Sequence, residues 1–427
     1  MNTKVLQPYG AYFSPRDFSE DAVLTHVGRG TPCGEYLRRY WQPVGFASDL
    51  GDLPTRIRIL GEDLVLFKDG SGHVGVLELH CAHRGASLEF GVIEPRGIRC
   101  FYHGFLYGTD GTILETPAGA PLCGAGKVCQ GAYPVHVFHD LVFIYMGPPD
   151  RKPAFPMFDV YDDPNIVIEP APLRTGLMEC NWLQVQENGM DPAHTAFLHV
   201  LMSGTQRGFS DEMGVLPHME FFRNETGTHY VATRRVGDNA WVRIVDATLG
   251  NVNLIPPDDQ KGAVSSVAQN AFTVIWAVPV DDTATKRWYL LLNDKRDPLK
   301  DYQKARAFGQ ANDRSYEERQ RRPGDYDAQT SQGPINIHAY ETLTTSDLGI
   351  QIFRDYVREQ IRRVQQGEDP DGVSFDPSYR IRTRTQNTVV SLPRVENADE
   401  ERERLAAAGR EVAEGDFRRQ WPPARKA

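Results

Sequence analysis

Cys81-Ala82-His83-Arg84-Gly85-Ala86 and Arg99-Cys100-Phe101-Tyr102-His103-Gly104 are the two stretches that decide the fold. Each brings a thiol and an imidazole at close spacing: C-x-H, then sixteen residues, then C-x-x-H. A Cys and a His this close can share one loop, so two such loops can clamp one metal centre. Two thiolates with two imidazoles suit either a structural zinc or a mixed-ligand iron–sulfur cluster. Zinc fingers usually order their ligands Cys, Cys, His, His, whereas here each loop brings one of each. Gly85 and Gly104 follow the histidines and let the backbone fold tightly against the sulfurs. Imidazoles in place of two thiolates raise the potential of a [2Fe–2S] cluster, because less negative charge opposes reduction. Unrelated buried cysteines and surface histidines are the competing reading, which the doubled spacing disfavours.

Around these loops, from Pro43 to about residue 150, short β-like runs such as Asp63-Leu64-Val65-Leu66-Phe67 alternate with Asp-Gly turns. That is the texture of a small antiparallel β domain, read here as residues 43–150. Before it, residues 1–42 form an N-terminal segment that reads as helical over 19–41. Beyond a Pro-rich linker, residues 151–395 mix helical patterns (181–202, 300–322, 346–366) with strand-like stretches near 218–222, 228–236, 240–249, 271–280 and 286–293. The expected class is α+β, a sheet with helices grouped around it. Residues 396–427 are highly charged and read as an exposed helix or frayed tail.

The chain has 427 residues, more than one hydrophobic core usually serves. Its net charge of −10 argues against an extended basic surface for nucleic acid. No secretory signal and no run of 18 apolar residues is present, so a cytoplasmic protein without a membrane span is expected. Neither a phosphate loop nor a G-x-G-x-x-G after a strand is found, so electrons are expected from a separate protein.

A second constellation lies at Asn181-Trp182-Leu183-Gln184-Val185-Gln186-Glu187-Asn188-Gly189-Met190-Asp191-Pro192-Ala193-His194-Thr195-Ala196-Phe197-Leu198-His199. A zinc-protease helix places two histidines four apart with Glu between them; here they are five apart and that Glu is missing. Two imidazoles with a carboxylate form the facial triad of Fe(II) oxygenases, which leaves metal positions open for O₂. Five residues of ideal helix turn about 500°, leaving the two side chains about 140° apart. A π-type widening or a break is therefore expected between them. Two satisfied core histidines are the bland alternative.

Together the His-Arg-Gly-Ala and Cys-x-Tyr-His-Gly loops, Tyr133-Pro134-Val135 and the Asp-Pro-x-His helix resemble Rieske non-haem iron aromatic ring-hydroxylating oxygenases. The likeness is to the oxygenase (alpha) subunit of the phthalate dioxygenase-like branch. The resemblance implies a [2Fe–2S] cluster on Cys81, Cys100, His83 and His103, and a mononuclear Fe(II) on His194, His199 and a downstream carboxylate. The resemblance, carried here by Thr345-Ser346-Asp347 and Arg354, implies Asp347 for that carboxylate; spacing does not choose it over Glu341 or Asp355, and a helix cap is its bland role. Cys33, Cys123, Cys129 and Cys180 match no ligand position. Asp191 is either a helix cap before Pro192 or, as the resemblance implies, a carboxylate bridging His194 and the His103 of a neighbouring chain.

The implied activity is O₂-dependent hydroxylation of an aromatic, carboxylated substrate, fed by an NAD(P)H-dependent reductase or a ferredoxin. O-demethylation of a methoxy aromatic acid is the alternative, and a bare electron-transfer protein is a rival from another class. A homotrimer or a multiple of it is expected. Substrate contacts are placed at Asn188, Arg207, Asn270 and Phe272. Further lining is sought among Phe221, Phe222, Val242, Ile244, Val274 and Trp276, and further cations among Arg223, Arg235 and Arg243.

Overall fold

The computed structural model describes residues 7–14, 18–122, 126–204, 211–257, 270–296 and 308–415, with residues 172–175 described by backbone alone. The β-like texture of the first half resolves into three small antiparallel sheets. Trp41–Phe46 pairs with Leu141–Tyr145, which pairs with Val135–Phe138. Thr55–Ile59, Glu62–Lys68 and Val74–Glu78 form the second. Val92–Glu94, Gly97–Arg99, Leu106–Tyr107 and Ile113–Glu115 form the third. The last two sheets enclose a small core of their own, with Val65, Phe67, Leu77, Leu88, Ile98 and Tyr107, and both Cys81 and Cys100 lie in it.

The second half is built on an eight-stranded antiparallel sheet. In spatial order it runs Ile166–Met178, Ala284–Asp294, Thr273–Asp281, Val252–Ile255, Asn239–Thr248, Gly227–Val236 and His218–Asn224, and Gln386–Ser391 also pairs with Asn239–Thr248. Successive side chains on a strand point to opposite faces. Directly paired residues share a face, and the register links Trp276 to Val252 and to Trp288, and Leu254 to Val274 and Asp246. One face therefore carries the even-numbered residues of these strands. It packs against the first half: Phe46 meets Trp288 and Phe143 meets Trp276, with ring centroids 5.5 and 5.4 Å apart. The odd-numbered face looks the other way.

Two expectations need correction. The N-terminal stretch 19–41 is two short helices, Ala22–Thr25 and Pro32–Leu37, because Gly28 and Gly30 interrupt it. Of the two readings of the charged C-terminal stretch, the helix forms, but it is not exposed on every side. Ala398–Glu414 is a helix capped by Asn397, and its small residues seat it on the sheet. Val412 packs with Val231, Val242 and Ile244, and a Cβ at Gly409 would come 2.4 Å from Thr233 Oγ1. The helix expected over 300–322 forms only over Tyr316–Arg321 among the described residues: 308–315 are turns and bends, and residues 297–307 lie outside the described residues. Leu348–Gln365 forms as expected.

Candidate metal centres

The two cysteine loops are built alike. Cys81 N–H donates to Ala86 O at 2.9 Å and Gly85 N–H to Cys81 O at 2.8 Å. Cys100 N–H donates to Phe105 O at 2.8 Å and Gly104 N–H to Cys100 O at 3.0 Å. Both turns close on a glycine at φ 74°, a backbone setting that costs other residues energy. The sulfurs are buried at the loop bases, 4% and 2% exposed, while the His83 and His103 rings stand at the tips with centroids 4.6 Å apart. The Tyr107 hydroxyl lies 2.9 Å from Cys81 Sγ, and His83 stacks on Phe105. Burial, and after it the neighbouring Cys81, pushes the Cys100 thiol up. Burial, then His83, holds the His103 imidazole below its ordinary range. A paired set of buried sulfurs and a paired set of outer imidazoles fits a cluster with one iron on each pair. Of the other cysteines, Cys33 and Cys180 are buried, Cys129 is exposed and Cys123 lies outside the described residues.

The second constellation begins with the helix Trp182–Asn188. Asn181 caps it, its carbonyl accepting from Leu183 N at 3.1 Å while its amide ties back to Thr25 O and Asp282 O. Glu187 is buried and shares the Arg354 guanidinium with Glu341. Burial pushes the Glu187 carboxyl up against the pull of Arg354; at Glu341 burial also opposes, but Arg354 outweighs it and holds that carboxyl down. The helix breaks at Gly189, resumes as Ala193–Ala196 and widens into a π-helix over Phe197–Met202. This is the expected widening, and it turns His199 onto the side of His194, ring centroids 5.2 Å apart.

The third group is a correction. Asp325, not Asp347, meets the histidine pair: its Oδ1 lies 3.3 Å from His199 Nε2 and 3.7 Å from His194 Nε2. Among the described residues this is the one cluster of three His, Cys, Asp or Glu whose ligand atoms lie close enough to share an ion. Asp347 instead closes a capping box, its Oδ2 accepting from Thr344 N at 2.7 Å and from Thr344 Oγ1 at 2.9 Å. Glu341 is held by Arg354 and Asn336. Asp325 opens the short helix Asp325–Thr330 and is 4% exposed. Its sequence signal was Pro323-Gly324 just before it, a helix-start cue that reading one helix up to residue 322 passed over. Two imidazoles, His199 buried and His194 partly so, with a buried carboxylate form the donor set that suits Fe(II).

Asp191 is the helix cap of the first reading. Its Oδ1 accepts from Ala193 N at 2.8 Å and His194 N at 3.2 Å, the cap with Pro192 in the first turn. Its main-chain carbonyl accepts from His194 Nδ1, fixing the ring, and Oδ2 stands 3.6 Å from the same nitrogen.

A cavity of about 140 Å³ opens beside the His pair and Asp325. Its wall is the odd face of the sheet: Arg243, Val245, Asn253, Ile255, Ile275 and Tyr289. Asn188 and Phe272 line it, as expected. Asn270 is described but stands outside the lining, and Arg207 lies outside the described residues. Val242, Ile244, Val274 and Trp276 are on the opposite face, in core. Phe221 and Phe222 pack against core clusters. Of the expected cations, Arg243 reaches the cavity; Arg223 pairs with Glu359 and Arg235 with Glu401. Arg287, Gln310, Tyr230 and Tyr289, which also line the cavity, carry no local motif that would have singled them out.

No helix among the described residues is long and apolar enough to cross a membrane. Residues 40–134 match the model of the Rieske [2Fe-2S] domain. The chain is 40% identical to the oxygenase subunit of tert-butanol monooxygenase / tert-amyl alcohol desaturase from Aquincola tertiaricarbonis, over 79% of this chain and 76% of that one. It is 38% identical to the phenoxybenzoate dioxygenase subunit alpha of Ectopseudomonas oleovorans, over 88% and 94%. The terminal oxygenase of carbazole 1,9a-dioxygenase from Novosphingobium sp. KA1 shares the fold, with a TM-score of 0.55 at 17% identity over 78% of this chain and 96% of that one. Fold, matched domain and relatives agree: the chain belongs to the Rieske non-haem iron oxygenases, as the oxygenase component of a multicomponent system that receives its electrons from a separate reductase or ferredoxin.

Proposed function

We propose that this subunit hydroxylates a compact aromatic carboxylate. Cys81 and Cys100 hold one iron of the cluster and His83 and His103 the other, while His194, His199 and Asp325 hold the mononuclear iron. An iron ion on two imidazoles and a carboxylate supplies the activation of O₂. The observation that carries the reading is Asp325 Oδ1 facing both imidazole Nε2 atoms on the lining of a cavity that also presents Val245, Ile255, Phe272, Ile275 and Leu291. A cavity near 150 Å³ lined by apolar groups takes a benzene ring, so the space beside Phe272, Tyr230 and Tyr289 suits one ring. Arg243 is buried at 2% exposure on the cavity wall, where its Nε and Nη2 donate to the Pro257 and Pro256 carbonyls, and it brings to the lining a positive charge that favours a carboxylate. Asn188 stands on the same lining as a neutral polar contact. Asp191 fixes His194 through its carbonyl, and in a trimer its Oδ2 would accept from the His103 of a neighbouring copy.

The phenoxybenzoate relative supports the carboxylate, and the tertiary-alcohol relative supports a second reading, a small branched alcohol in the same cavity. Turnover with reductase and O₂ on benzoate, a methoxybenzoate and tert-butanol, with the products identified, separates these readings from each other and from O-demethylation. We expect oxidation of the benzoates, and a KM raised at least tenfold by Arg243→Gln. Turnover of tert-butanol alone would replace the first reading by the second.

A further inference from the structure

The carboxylate of Asp325 is held from behind. Its Oδ2 accepts from Gln310 Nε2 at 2.6 Å, while Oδ1 faces the two histidines. An amide side chain has a donating end and an accepting end, and the two are interchangeable in shape. What decides which end meets Asp325 is the group at the other end, and here that group is Arg287. Arg287 Nη1 donates to Gln310 Oε1 at 2.8 Å and Nη2 donates to the main-chain carbonyl of Gln310 at 2.6 Å. A guanidinium has only donors, so it accepts nothing from the amide nitrogen. The Gln310 oxygen must face Arg287, and its NH₂ must face Asp325. All three residues are buried, at 5, 6 and 4% exposure for Arg287, Gln310 and Asp325.

The anchor is the sheet itself. Arg287 lies on Ala284–Asp294, on the odd face that walls the cavity, and its guanidinium sits over the Tyr289 ring. The segment of Gln310 is tied to that of Asp325 by the bond from Tyr326 N to Gly309 O at 2.9 Å. Gly309 and Gly324 allow this approach, since a Cβ on Gly309 would come 2.7 Å from Gly324 Cα.

We propose that Gln310 and Arg287 are positioning residues for Asp325: the guanidinium orients the amide, and the amide engages Oδ2, so that the carboxylate offers the iron one oxygen. The inference rests on Asp325 as the third iron ligand. Hydrogen-bonded partners behind metal ligands commonly govern affinity by 10–100-fold.

The test measures Fe(II) affinity of the full chain, with its cluster intact, by chelator competition, and the electron paramagnetic resonance of the ferrous–nitrosyl adduct. Gln310→Glu keeps the shape and the contact with Arg287 but turns an acceptor toward Asp325. We expect it to weaken Fe(II) at least tenfold and to alter the nitrosyl signal, with the cluster's visible spectrum unchanged. Gln310→Leu and Arg287→Lys should weaken Fe(II) in the same direction, because one loses the donor and the other the two-pronged hold on the amide. Asp325→Ala is the control on the ligand itself. If Asp325→Ala loses Fe(II) while Gln310→Glu binds it within twofold and gives the wild-type nitrosyl signal, the positioning role is overturned and the ligand stands. If Asp325→Ala keeps Fe(II), the ligand assignment falls and the positioning role with it.

Discussion

The cluster loops and the iron site differ in how far along the chain their parts are drawn from. All four cluster groups lie between residues 81 and 103, on two loops that close on their own backbone bonds. The iron groups lie between residues 194 and 325: the two histidines share one helical stretch, but nothing local ties them to Asp325. The histidines are turned by a π-helix, Asp325 arrives on a separate helix, and Gln310 behind it is held by Arg287 from the sheet. The cysteines also belong to a small core of their own, whereas the iron helix leans on the main core through Trp182 and Leu183. A site closed by local turns should tolerate damage elsewhere. A site assembled by packing should register it.

The sharpest break of this contrast is at Asp325. Asp325→Ala should reduce turnover by 100-fold or more through loss of mononuclear iron, leaving the cluster's visible spectrum intact. Iron analysis and a turnover assay check it. Cys100→Ser should do the converse, bleaching the cluster while Fe(II) still binds at the histidine pair; a surviving visible spectrum would sink the cluster assignment. Arg354→Leu tests the packing half of the comparison. It strands the buried Glu187 and the partly buried Glu341, and losing one partner of a buried pair costs about 3–5 kcal/mol. Chemical denaturation should show that loss in the catalytic half, and iron affinity should fall before cluster absorbance does.

Smaller effects test the local half. An alanine forced into the left-handed region costs about 1–2 kcal/mol. Gly85→Ala meets open space, but a Cβ at Gly104 comes 3.3 Å from Pro117 Cγ, so Gly104→Ala should release its cluster faster. Smallest is Asp347→Ala, which removes a capping-box partner. It should cost about 1 kcal/mol in thermal unfolding and keep turnover within twofold. A dead Asp347→Ala with normal stability would restore Asp347 as a ligand.

The sequence by itself determined what is written in spacing. The C-x-H and C-x-x-H loops and their glycines specify the cluster site because ligands and turns lie within a few residues of each other. The five-residue step from His194 to His199 already demanded a departure from the α-helix, since a regular one cannot put both rings on one side. Only the tertiary structure decided the rest. Among the acidic groups of the described residues, proximity to the histidines picks Asp325, and proximity is set by a helix that reaches them through the Gly309–Gly324 approach. The sheet made a similar choice. Val242 and Arg243 are adjacent in sequence, yet one packs under the C-terminal helix and the other walls the cavity. In a strand buried on both faces, hydrophobic pattern does not say which face is which; the pairing register and the layers packed on each side do.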